Sequence, residues 1–85
     1  MTMLQLRYFA SLRDQLNCES EALEWHEDFK TAVKVRAFLI ARGEPWTTTI
    51  SKPSVLIAIN QEIGSSDSTI SDGDEIAFFP PVTGG

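Results

Sequence analysis

One stretch of the chain, TAVKVRAFLIARG at positions 31–43, spaces its apolar residues at a helical period, and the apolar runs around it read in twos or as short β-branched segments. Ala32, Val35, Phe38 and Leu39 share one helical face, with Thr31 at the N-cap position, Arg42 in the last turn and Gly43 at C′. Val33, Ala37 and Ile40 on the other side leave the amphipathicity imperfect, and Pro45 prevents the helix from continuing. Before the helix, LQLRYFA alternates, so that Leu4, Leu6 and Tyr8 fall on one face of a strand and Gln5 and Arg7 on the other. ALEW gives a weaker second strand with Leu23 and Trp25 in phase, and Asn17 suits a turn between the two. After the helix, SVLIAIN reads as a strand covered on both faces. GSSDSTISDGD is turn chemistry, tightest at Asp72-Gly73, and EIAFF is a final strand that Pro80 and Pro81 end by removing two backbone donors. The expected order is β-β-α-β-β, with room for another short strand near Ile63. One helix among strands in 85 residues implies an α+β arrangement, the helix packed across one face of a single sheet.

The other face of that sheet would be open. Within EIAFF, Ile76 and Phe78 share a side while Ala77 and Phe79 share the opposite one, and Phe9 is out of phase with Leu4, Leu6 and Tyr8. If the latter group packs under the helix, Phe9 and Phe79 point away from it. Two aromatics on an open sheet face form a candidate partner patch. A bulge or a covering loop is the alternative that alternation alone leaves standing.

Charge narrows the class of partner. Twelve acidic against seven basic residues give a net charge of -5, which argues against nucleic acid, whose phosphates need a cationic face, and suits a basic partner. A single cysteine, Cys18, excludes an intrachain disulfide and a cysteine-cluster metal site, and points to a reducing compartment. The opening MTMLQLRYFA does not read as a signal peptide, and no apolar run approaches the length of a membrane span, so a cytoplasmic chain is expected.

The usual carriers of catalysis are poorly supported. His26, the one histidine, lies among Glu24, Glu27 and Asp28, where an exposed, inert role is the better reading than a metal ligand, and no metal site is expected. Cys18 lacks a basic or helix-N-terminal context to activate it. Gly43, Gly64 and Gly73 make no phosphate-binding fingerprint, and Ser65, Ser66 and Ser68 near Asp67 make a loop rather than a triad.

The last six residues, PPVTGG, are the informative ones. Residues 1–79 are expected to form the domain and residues 80–85 an extended tail. Pro80 and Pro81 favour a semi-rigid exit, Val82 and Thr83 an extended backbone, and the six together reach about 20 Å at most. Gly84 and Gly85 make a tip narrow enough for a channel that excludes any Cβ. A carboxylate on Gly85 is a poor electrophile, so chemistry there needs activation. Adenylation with ATP supplies a leaving group that a sulfur donor can displace, which yields a thiocarboxylate, a nucleophilic sulfur on an arm.

NQE after an apolar strand and DGDEIAFFPPVTGG at the end, together with LRYFASLRD near the start and T-x-x-x-V-R on the helix, resemble the small subunits of molybdopterin synthase over nearly the whole chain. The resemblance implies a ubiquitin-like β-grasp fold, one mixed sheet with a helix packed on one face. It implies a sulfur carrier with no permanently bound cofactor. An adenylyltransferase similar to ubiquitin-activating enzymes would use ATP to adenylate Gly85, and a persulfide donor would convert it to the thiocarboxylate. The tail from Pro80 through Pro81, Val82, Thr83 and Gly84 would thread the active site of a large subunit and deliver sulfur to cyclic pyranopterin monophosphate, forming the dithiolene. The resemblance also implies an assembly of two small and two large subunits, a catalytic pocket on the large one, and an apolar contact surface at Phe9, Ile63 and Phe79. Neither a nucleic acid nor a membrane is an expected partner. The competing readings are another β-grasp carrier, for thiazole synthesis or tRNA thiolation, a ubiquitin-like protein modifier, and a passive binding module whose tail is incidental.

Overall fold

Alternation in the first strand is carried through into burial. In β1 (Met3–Tyr8) Leu4, Leu6 and Tyr8 are fully buried, Gln5 is exposed and Arg7 half-buried. The structure, a computed structural model, describes residues 3–64 and 67–81. After β1 come α1 (Ala10–Leu16), β2 (Ser20–Glu24), α2 (Ala32–Ile40), α3 (Trp46–Ser51), β3 (Leu56–Ile59), β4 (Glu62–Ile63) and β5 (Glu75–Phe79). The strands form one sheet of order β2-β1-β5-β3-β4, in which β1 and β5 run parallel and the other neighbours antiparallel. This mixed sheet, with α2 on one face, is the β-grasp arrangement expected above.

Two helices were not expected from the sequence. In α1, Leu12 and Leu16 lie four residues apart and are both buried, and Asn17 ends the helix in the left-handed conformation at φ 53°. The turn read at Asn17 is therefore a helix C-cap. α3 begins directly after Pro45, its N-cap, so the proline that bars continuation of α2 also precedes a new helix, where its missing N–H forfeits no helical hydrogen bond. The Glu44 carboxylate accepts the Thr48 backbone N–H at 2.7 Å and also the Thr48 hydroxyl, closing the first turn of α3. Arg36, from the T-x-x-x-V-R pattern, donates through Nε to the Ile50 carbonyl at 2.9 Å and through Nη2 to the Lys52 carbonyl, so it ties the end of α3 to α2.

The ends and face of α2 differ in detail from the expectation. Thr31 occupies the N-cap without a side-chain hydrogen bond; the entry is held instead by backbone pairing, Ala32 N–H to Ser68 O and Ile70 N–H to Lys30 O, each at 3.0 Å. The helix ends at Ile40 with Ala41 as cap, so Arg42 lies beyond the last turn and Gly43, at φ 96°, one position past C′. Ala32, Val35 and Leu39 are fully buried, but Phe38 is 41% exposed. The buried stripe centres on Val35 and Leu39. Phe38 falls at its edge, where its ring meets Phe29 edge-on at 5.4 Å. The second strand starts earlier than ALEW suggests, and Trp25 follows it, half-buried against the core.

One cluster forms the core. Leu4, Leu6, Tyr8, Ile57, Ile76 and Phe78 from the sheet meet Leu12, Val35, Leu39 and Ile50 from the three helices. Fully burying side chains of this size stabilises the fold by about 1.5–3 kcal/mol each. No helix among the described residues is long and apolar enough to cross a membrane.

Candidate functional site

The central strand of the sheet is the one that leads into the tail. β5 is paired on both sides through its last residue or the one before it: Phe78 stands opposite Tyr8 of β1, and Phe79 opposite Leu56 of β3. Pro80 cannot extend the ladder, and β5 stops at Phe79. Pro80 is half-buried and Pro81 exposed. The tail thus has a root fixed by pairing with two neighbours. Val82, Thr83, Gly84 and Gly85 lie outside the described residues.

Register defines the open face. Arg7, Ala77, Ala58 and Ile63 form one continuous row across β1, β5, β3 and β4. Phe9, just past β1, is extended, and its N–H bonds to the Phe78 carbonyl at 3.1 Å, which continues the parallel register and sets Phe9 beside Phe79 and Leu56 in the next row. Phe9 is 41% exposed and Ile63 70% exposed, while Phe79 is half-buried. Ala77 and Ala58 are buried even here, as small residues between longer neighbours. The structure therefore brings Phe9, Ile63 and Phe79 to the same face.

The two motifs that flank β5 explain how Ile63 arrives there. Asn60 and Gln61 both have positive φ, 51° and 70°, as a two-residue type I′ hairpin requires, and the hairpin folds Ile63 back beside Ala58. The Asn60 side chain then clips this hairpin to the start of β5. Its Oδ1 accepts the Glu75 N–H at 3.0 Å, and its Nδ2 donates to the Asp74 carboxylate at 3.1 Å. The other Asp74 oxygen accepts the Ser71 N–H at 2.7 Å. Gly73, at φ 89°, makes the turn that lets its N–H reach the Met3 carbonyl at 3.0 Å. NQE and DGDE are thus two halves of one clamp.

A polar cluster at the other edge of the sheet was not read from the sequence. Glu21 of β2 accepts a bidentate pair from Arg42 at 2.8 and 2.9 Å and the Tyr8 hydroxyl at 2.9 Å. The Arg42 guanidinium also lies 4.6 Å from the centre of the Trp46 ring. The hydrogen bond from Arg42 holds the Glu21 carboxyl below its usual range, and burial, with Glu21 nearby, pushes the Tyr8 hydroxyl up. The cluster locks β1, β2 and the α2–α3 junction together. No sequence signal short of the fold itself pairs residues 21 and 42.

Cys18 is half-buried, with Sγ 3.6 Å from the Ser20 carbonyl, and burial and then Glu21 push its thiol up. His26 is exposed, edge-on to Phe29 at 5.7 Å and 4.0 Å from the Glu24 carboxylate. No metal-binding group of acidic, histidine or cysteine side chains forms among the described residues. The cleft beside β4 is lined by Asn60, Glu62, Thr69 and Asp74 and is acidic.

The ThiS family model matches residues 6–85. A molybdopterin synthase sulfur carrier subunit from Haemophilus influenzae is 43% identical over 98% of this chain and 100% of its own length. The protein of the same name from Escherichia coli is 37% identical over the same shares. A solved complex of subunits 1 and 2 of molybdopterin-converting factor from Helicobacter pylori contains a chain similar in fold, with a TM-score of 0.67 and 24% identity over 98% of this chain and 99% of that one.

Proposed function

The chain belongs to the ThiS family and, within it, to the molybdopterin synthase sulfur carrier subunits, and from that premise we propose how its parts divide the work. The domain is a handle and Gly85 is the reacting residue. An adenylyltransferase of the ubiquitin-activating kind joins the Gly85 carboxylate to AMP from ATP and releases pyrophosphate. The outer sulfur of a persulfide donor attacks the acyl carbon and AMP leaves. A second thiol cleaves the resulting S–S bond and leaves a thiocarboxylate on Gly85. ATP and the activating enzyme act transiently, so the chain needs no resident cofactor.

Docking on a large subunit then carries the tail into that subunit's pocket. Phe9, Ile63 and Phe79 supply the apolar part of the docking face, and the rooted strand β5 aims Pro80, Pro81, Val82, Thr83 and Gly84 inward. The thiocarboxylate sulfur attacks an oxygen-bearing side-chain carbon of the pterin precursor, cyclic pyranopterin monophosphate, and displaces that oxygen as water or as the phosphate oxyanion; water then cleaves the acyl–sulfur bond, which returns the carboxylate to Gly85 and leaves the sulfur on the product. Acid–base groups and the substrate pocket belong to the large subunit. The acidic cleft of the small one repels an anionic precursor. Two small and two large subunits make the assembly, in the cytoplasm.

The observation that carries this reading is 43% identity to a named sulfur carrier subunit over 98% of this chain and the whole of that one. Its test is intact-mass analysis after incubation with the activating enzyme, ATP and a persulfide donor. Replacement of one oxygen by sulfur is expected in the parent chain and in none of the product lacking Gly85. Normal loading of that truncated chain would overturn the proposal.

A further inference from the structure

Arg7 lies on the open face, and its guanidinium is only loosely paired. Arg7 lies in the row Arg7–Ala77–Ala58–Ile63, with Ser20 of β2 on its other side. Its guanidinium carbon lies 5.6 Å from the centre of the Phe9 ring. Its Nη1 stands 3.6 Å from the Glu75 carboxylate, beyond hydrogen-bond distance, and the two side chains are 43% and 26% exposed. Its Nε is buried without a hydrogen-bond partner, and among the described residues it is the one buried side-chain nitrogen or oxygen in that condition. A buried donor left unpaired is costly, and covering this face with a partner desolvates the guanidinium further.

Resting on the docking reading above, we infer that Arg7 is a specificity element of that face and that the large subunit presents an acceptor, a carboxylate or a backbone carbonyl, to its guanidinium. Arginine suits this place because its planar fork offers several donors at once and its face stacks on an aromatic ring. The partner reaches it through the half-exposed outer nitrogens, next to the Phe9 ring that anchors the same contact. A surface that is merely apolar at this point desolvates the guanidinium and leaves it only the 3.6 Å contact with Glu75, and so is disfavoured. Arg7 thereby separates partners of matching chemistry from other proteins that accept an apolar patch.

Long-range and local electrostatics give opposite signs, which makes the test decisive. The chain has a net charge of -5, and Arg7→Leu takes it to -6 by removing one positive charge. Attraction to a basic partner would then strengthen, and most so at low salt. A local acceptor predicts the reverse. The experiment titrates the purified full chain into the cognate large subunit by calorimetry, at low and at high sodium chloride, for the parent, Arg7→Leu, Arg7→Lys and Phe79→Ala. Arg7→Leu should weaken binding by roughly tenfold or more at both salt concentrations, the worth of a hydrogen bond to a charged group. Arg7→Lys, which keeps the charge but not the fork, should recover only part of the loss. Unchanged or tighter binding of Arg7→Leu alongside weakened binding of Phe79→Ala overturns this inference and leaves the docking face intact. Parent-like binding by both variants overturns the docking face as well. Thermal melting of each variant ties any loss to the interface, and Arg7→Lys gives a second reading if Arg7→Leu melts early.

Discussion

Phe78 and Phe79 are consecutive residues of one strand, and they stand on opposite sides of the sheet. Phe78 is fully buried on the helix-covered side, stacked on Tyr8 at 5.9 Å. Phe79 is half-buried on the open side, level with Leu56 and next to Phe9. The covered face is filled by large apolar side chains from the sheet and three helices. The open face is built from small residues at its centre, Ala77 and Ala58, with Phe9, Phe79, Ile63 and Arg7 around them. The first arrangement stabilises the chain by itself. The second gains little until another surface covers it. A strand with period 2 can serve both purposes at once, and β5 does so within five residues.

The sharpest way to break that division is Phe78→Ala. Removing a core ring should destabilise folding by about 3–5 kcal/mol, a large part of the stability of so small a domain, and a denaturant midpoint measures it. Phe79→Ala should leave that midpoint nearly unchanged and weaken binding to the large subunit by about 1–3 kcal/mol, the effect of an aromatic interface anchor. If Phe79→Ala unfolds the chain while Phe78→Ala is harmless, the two faces have been assigned the wrong way round.

A smaller effect sharpens the account at the edge of the covered face, where Glu21 joins Tyr8 to Arg42. The hydrogen bond from Arg42 lowers the Glu21 pKa in the folded state relative to the unfolded one. The pair therefore stabilises the fold fully above the unfolded carboxylate value of about 4.3, and this part is lost as pH falls through the folded value. Glu21→Gln should make the stability curve shallower below about pH 4, relative to the parent, in denaturation midpoints collected across the acid range. Equal acid limbs would show that the pair does not couple folding to protons.

Much of this was legible in the sequence because the determining patterns are local. Alternation placed Leu4, Leu6 and Tyr8 inward and set Phe9 and Phe79 apart from them, and the short strand at Ile63 was expected. The helix α1 was missed because seven residues offer only one apolar pair, Leu12 and Leu16, directly after a strand whose alternation masks the change of period. The helix α3 was missed because WTTTIS is rich in β-branched residues with low helical preference, and its order comes from Glu44 and from Arg36 on another element. Phe38 was placed on the inner face by spacing, yet a position one step from the stripe centre needs the neighbouring Phe29 and Arg42 to decide its exposure. Arg7 was legible only as a residue on the outer face. Its unpaired nitrogen is a product of the register, which sets it beside Ala77 and within reach of Phe9 and Glu75.

The central claim is that this chain carries sulfur and that another subunit provides the pocket. The direct measurement is a single turnover with fully thiocarboxylated chain, the pterin precursor and the large subunit, in which dithiolene formed is compared with thiocarboxylate lost by intact mass. Each tail holds one sulfur and each dithiolene needs two, so two loaded chains should revert to the plain carboxylate for every product formed, and the loaded chain alone should form none. Product made by the loaded chain without the large subunit would contradict the claim.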